Sequence, residues 1–95
     1  MAEMTGGQHT TSTSAKQLED DDTPCTQIFV RNNTGNGVLY HGGSDITSAP
    51  TNAHGFMKAE EAYTFSLSRG YIRARDIYIV STASAETVFW DGIPS

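Results

Sequence analysis

The stretch "YTFSLS", Tyr63 to Ser68, decides the fold class. Tyr63, Phe65 and Leu67 fall on one side of an extended chain, and Thr64, Ser66 and Ser68 on the other. A period of two is that of a β-strand with one face buried and one face wet. Upstream, "CTQIFV", Cys25 to Val30, has the same β-branched and aromatic chemistry and runs into "RNNTGNG". Asn and Gly tolerate positive φ, so Asn36-Gly37 predicts a hairpin turn, with "VLYH" from Val38 starting the return strand. Downstream, "YIRARDIYIVS" alternates as far as Arg75, and then its apolar phase slips around Asp76, which predicts a bulge or a break between two strands. "ETVFW", Glu86 to Trp90, reads as the last strand, with "DGIP" closing the chain. "KAEEAY", Lys58 to Tyr63, holds helix formers but is too short to stand as a helix. Five or six strands at hairpin spacing predict an all-β domain, a small antiparallel β-sandwich or barrel.

The chain has 95 residues and is 37% apolar, enough for one small domain with little core material. Domains of this size commonly need a disulfide, a metal or association as a staple. Cys25 is the single cysteine, so an internal disulfide is ruled out, and no cysteine–histidine spacing suggests structural zinc. Association remains, and a homo-oligomer, dimer or trimer, is expected. The formal net charge is -5 and the six basic residues are scattered, which argues against a nucleic-acid partner. No apolar run approaches membrane-spanning length, and the start lacks the basic-then-apolar order of a signal peptide.

Composition changes at Pro24. In residues 1–24 the sizeable apolar groups are Met1, Met4 and Leu18, and one lysine stands against five acids; the rest has five basic residues against six acidic. A segment so polar does not bury enough surface to fold alone. It is expected to be an extended polar and acidic N-terminal arm (1–24) attached to a sandwich or barrel domain (25–95), with any order in it imposed by a neighbouring surface. Glu19, Asp20, Asp21 and Asp22 are the residues expected to face a basic partner; they lack the spaced D-x-D-x-D-G order of a calcium loop. The opening "MAEMTGGQ" also resembles the start of the T7 phage capsid protein, a stretch copied as an epitope tag. Met4 to Gln8 match and Glu3 does not, which fits both an expression scar and a natural phage start.

The segment "VLYHGGSDITSAP", Val38 to Pro50, gathers His41, Ser44 and Asp45 around Gly42 and Gly43. A serine nucleophile needs a base, an orienting acid and an oxyanion hole, and its elbow is G-x-S-x-G between a strand and a helix. Ser44 has one flanking glycine and no helix pattern after it, so no catalytic role is assigned. His41, Asp45 and His54 lack i, i+4 metal spacing, and no helix N-terminus or following Lys completes a phosphate cradle. His9 is read as a bystander in the arm. No cofactor is expected. Gly42 and Gly43 are read as supplying positive φ at a strand-ending turn, and Asp45 as capping backbone amides. Tyr40, Tyr71, Tyr78, Phe89 and Trp90 divide between core and subunit contact, with Tyr40 and Trp90 the expected partner-binding aromatics.

The body resembles a group of small phage virion-associated proteins over about residues 27–90. The likeness rests on the order and spacing of "VLYHGGSDIT", "GFMKAEEAYTF" and "DIYIVSTASAETVFW". These stand where the group has V-x-Y/L-x-G-G-S-D-V-T, then G-F/Y-x-L-x-P-G-E, then a D-L-Y-A-I-S strand before the last hairpin. Ala59-Glu60 replaces the group's Pro-Gly-Glu, so that corner is expected to differ. The resemblance implies a β-rich structural module and no enzyme: a capsid decoration (cement) protein on the outer surface of the virion, made in the host cytoplasm and bound to the phage major capsid protein. A neck, tail or fibre-associated component is the alternative, and a receptor- or glycan-binding module a further one.

Overall fold

The computed structural model describes residues 4–95; Met1 and Glu3, counted with the arm above, lie outside them. The chain is all-β. Among the described residues eight strands form two antiparallel four-stranded sheets. In chain order they are β1 (Thr5–Thr10), β2 (Lys16–Gln17), β3 (Cys25–Asn32), β4 (Leu39–Gly42), β5 (Ala53–Met57), β6 (Ala62–Ser66), β7 (Tyr78–Ser81) and β8 (Thr87–Pro94). The first sheet runs β1-β8-β3-β6 and the second β2-β7-β4-β5. The two stack into a sandwich.

Alternation sets which side chains the sandwich buries. Ile28 and Val30 of β3, with Val88 and Trp90 of β8, face Leu39, Met57 and Ile79 of the second sheet. Each of these is at most 2% exposed, and each such aliphatic stabilises the fold by roughly 1.5–3 kcal/mol. Phe65 and Ile72 pack against the edge of this cluster. The phase slip around Asp76 does not separate two strands: ahead of β7 the chain makes only the isolated bridge Ile72↔Cys25 and a 3-10 turn, Ala74–Asp76. "DGIP" continues β8 rather than closing the chain after it, and Gly92 faces inward against Cys25 and Trp90.

The pairing departs from hairpin order. Only β4 and β5 are both consecutive and paired; every other connection carries the chain to the opposite sheet or past a strand. Asn36-Gly37 is therefore not a hairpin turn, because β3 pairs with β6 and β8 while β4 pairs with β5 and β7. The positive φ in this connection belongs to Gly35 (81°). The corner is held by side chains. Fully buried Asn32 donates through Nδ2 to the Gly37 and Met57 carbonyls, and Asn36 donates to Asn32 Oδ1 and to the Thr87 carbonyl. Gly37 donates its N–H to Glu86 Oε1 at 2.8 Å. These bonds satisfy backbone groups that leave one sheet before reaching the other.

The segment before Pro24 is part of the sandwich, and the expected arm is corrected. β1 adds to β8 as an edge strand from Thr5↔Gly92 to Thr10↔Thr87, and β2 adds to β7. Leu18, 1% exposed, sits in the core. Thr11, also buried, donates Oγ1–H to the Ala83 carbonyl and accepts from the Glu86 N–H. Backbone pairing needs no apolar side chain, which is how so polar a stretch becomes structural. The order comes from the chain's own sheets.

Candidate functional surfaces

The acidic run is engaged within the chain. Asp22 is gripped by Arg73 Nε at 2.9 Å and Arg75 Nη2 at 3.0 Å. Asp21 accepts the Thr23 N–H at 2.7 Å and the Thr5 hydroxyl at 3.3 Å, and the bonds from Thr23 hold its carboxyl below the ordinary aspartate range. Glu19 Oε1 accepts the indole N–H of Trp90 at 3.3 Å. Asp20 is exposed. A strip expected to meet a basic partner thus meets arginines and amides of its own domain.

Trp90 is 2% exposed and belongs to the core, which corrects its assignment to an outer contact. Tyr40 is half-buried on the outer side of the second sheet, beside Phe56 with ring centroids 6.4 Å apart. Phe56 itself is 56% exposed, so that side of the pair faces outward.

The segment Gly43–Asn52 is the loop of the one consecutive hairpin, β4–β5. Neither Gly42 nor Gly43 has positive φ, which corrects that reading; in this loop Asn52 takes it, at 62°. Gly42 is required for a different reason, since a Cβ there would stand 2.6 Å from Ile46 Cγ2. Asp45 accepts from Asn52 Nδ2 through its backbone carbonyl rather than capping through its carboxylate. Ile46 turns inward as the loop folds and is 3% exposed.

His41 lies inside, away from Ser44. Its ring sits 4.4 Å from Tyr63 and 4.9 Å from Phe65, centroid to centroid, and Nε2 has no hydrogen-bond partner. Burial, then the neighbouring His54, pushes its pKa down. His41, His54 and Asp76 line a pocket of about 210 Å³ with Gly42, Gly43 and Phe65. Ser44 is exposed and outside that lining, so nucleophile and base are not brought together. Among the described residues no three His, Cys, Asp or Glu are placed to hold a metal ion.

His9, read as a bystander, is 4% exposed. Its Nδ1 lies 3.0 Å from the Leu18 carbonyl, and because a carbonyl only accepts, Nδ1 carries the proton. Burial lowers its pKa against the raising effect of that bond. Between β1 and β2 it borders a cleft of about 300 Å³ with Gln8, Lys16, Glu19 and Asp20.

The surface that sequence reading missed is the outer face of the first sheet. Phe29 and Arg31 of β3 lie beside Asp91 and Phe89 of β8. The period of two in both segments places these residues opposite the core positions, but nothing in the sequence pairs β3 with β8. Among the described residues no helix is long and apolar enough to cross a membrane. Comparison with known protein families, curated proteins and solved structures gives no match.

Proposed function

We propose that the protein is a capsid decoration (cement) protein of a phage, seated on the major capsid protein lattice at the outer surface of the head. The observation that carries this reading is the number of large apolar side chains left outside a braced two-sheet body. Phe56, Leu67 and Tyr71 are each more than half exposed and Phe89 is 44% exposed, on different strands and loops. A domain this small that shows aromatic groups on separate sides is suited to sit among several neighbours, where Tyr and Phe are enriched. The motif likeness of "VLYHGGSDIT" and "DIYIVS" to phage virion-associated proteins supports the same reading. The mechanism is linkage: a protein that binds the assembled shell and not dissociated subunits stabilises the shell by mass action, and many sites on one lattice add through multivalency.

The test is quantitative mass spectrometry of density-purified virions from the source culture, with a Fab against the chain located by electron microscopy. Lattice-wide label on the head is expected. Label at a single vertex or along the tail transfers the protein to the neck, tail or fibre, and absence from particles ends the virion reading. The Tyr40–Phe56 pair, with one ring largely exposed, favours a further reading as a glycan-binding module. Glycan-array binding lost on Phe56→Ala, with the fold intact, would support it.

A further inference from the structure

On the outer face of the first sheet, the register sets Phe29 opposite Asp91 and Arg31 opposite Phe89. Four side chains therefore occupy the corners of a rectangle about 5 Å across the strands and about 7 Å along them. One diagonal is aromatic, Phe29 to Phe89. The other joins a cation, Arg31, to an anion, Asp91. Ile93, 37% exposed, extends the apolar area along β8.

The two charges are not spent on each other. Ion pairs among the described residues join Asp22 to Arg73 and Arg75. The Asp91 carboxylate leans the other way, over β1, where its Oδ1 stands 2.8 Å from the place a Cβ on Gly6 would take. Glycine at position 6 leaves that room.

We propose that this face is a self-interface on which two copies of the chain pack sheet against sheet, Arg31 of each copy against Asp91 of the other. The arrangement of the rectangle selects the geometry. A two-fold axis along the Arg31–Asp91 diagonal would lay like charge on like charge, which is costly. An axis parallel to the strands would lay Asp91 over Phe29, and one perpendicular to them would lay it over Phe89, so either leaves each charge on an aromatic ring. An axis along the Phe29–Phe89 diagonal stacks aromatic on aromatic and lays Arg31 over Asp91 twice. Strands of the two copies then cross at about 70°, nearer the orthogonal than the aligned way in which sheets pack. The rectangle is neutral, with one charge of each sign on a diagonal, so its best match is its own copy, as an isologous contact requires. The inference needs no capsid and stands apart from that reading.

The experiment is sedimentation equilibrium of the full chain over a wide concentration range, with circular dichroism of every variant to confirm the fold. A monomer–dimer equilibrium is expected for the natural sequence. Arg31→Asp and Asp91→Arg should each weaken it by about tenfold or more, and the double reversal should recover most of the loss. If a reversal unfolds the chain, Arg31→Gln and Asp91→Asn carry the same comparison. The proposal is overturned by a natural chain that stays monomeric throughout, by a dimer indifferent to the single changes, or by a double reversal no better than the singles.

Discussion

The indole N–H of Trp90 donates to Oε1 of Glu19 across 3.3 Å, tying the last strand to a segment whose composition sets it outside the fold. Next to Glu19, Leu18 enters the core at 1% exposure. The acidic run is thus anchored at one end by a buried leucine and at the other by Asp22 between two arginines.

Leu18→Ala should cost roughly 2–5 kcal/mol, the range for emptying a fully buried leucine site. Urea denaturation followed by Trp90 fluorescence measures it. A cost under about 0.5 kcal/mol, the level of a surface change, would mean that the segment is the loose arm its composition suggests. Deleting residues 1–22 should unfold or severely destabilise the chain, so a loss of partner binding in that truncation reports on the fold.

Gly42→Ala and Gly43→Ala should separate. At Gly42 the new methyl would meet Ile46 Cγ2 at 2.6 Å, whereas at Gly43 the nearest group is Asp45 Oδ1 at 3.5 Å. Overpacking at the first should cost about 1–3 kcal/mol. The second should stay within about 0.5 kcal/mol of the natural chain. Equal costs in thermal melts would show that both glycines serve backbone conformation instead.

Stability should fall as pH drops below about 6.5, the ordinary histidine value. Burial lowers the pKa of both His9 and His41, so the folded chain holds them neutral while the unfolded chain takes up the proton. Their contribution is complete above the unfolded value and is lost as pH falls through the folded ones. Each histidine can add a slope of up to about 1.4 kcal/mol per pH unit in that window. His41→Phe, placed between Tyr63 and Phe65, should flatten the profile of Tm against pH. A profile as steep as that of the natural chain would remove His41 from the account.

Asn32→Leu should destabilise although it replaces a polar group in the core with an apolar one. Asn32 Nδ2 serves the Gly37 and Met57 carbonyls and its Oδ1 serves Asn36. Leucine would leave these partners without it, at about 1–3 kcal/mol for each one kept from water. Chemical denaturation reads the sum, and a neutral result would show that water reaches the corner.

Strand chemistry was legible where side chains alternate. "YTFSLS" announces a strand because a period of two puts its apolar groups on one side, although Leu67 falls beyond the end of β6 and is 55% exposed, and "CTQIFV" announces one through its β-branched and aromatic residues. The all-β sandwich follows from several such segments in a short chain. The same period puts Phe29 and Arg31 on one side of their strand and Phe89 and Asp91 on one side of theirs, without saying which side meets solvent.

Partnership was decided only in three dimensions. Hydrogen bonds between strands are made by backbone groups that every residue carries, so "TGGQHT" becomes an edge strand with no apolar pattern to announce it. For the same reason Asn36-Gly37 joins opposite sheets by way of Asn32 and Glu86. Trp90 illustrates the division. Its alternation fixes that it shares a face with Val88, but that this face lies inside, with Glu19 at the indole nitrogen, depends on which sheet packs across from it.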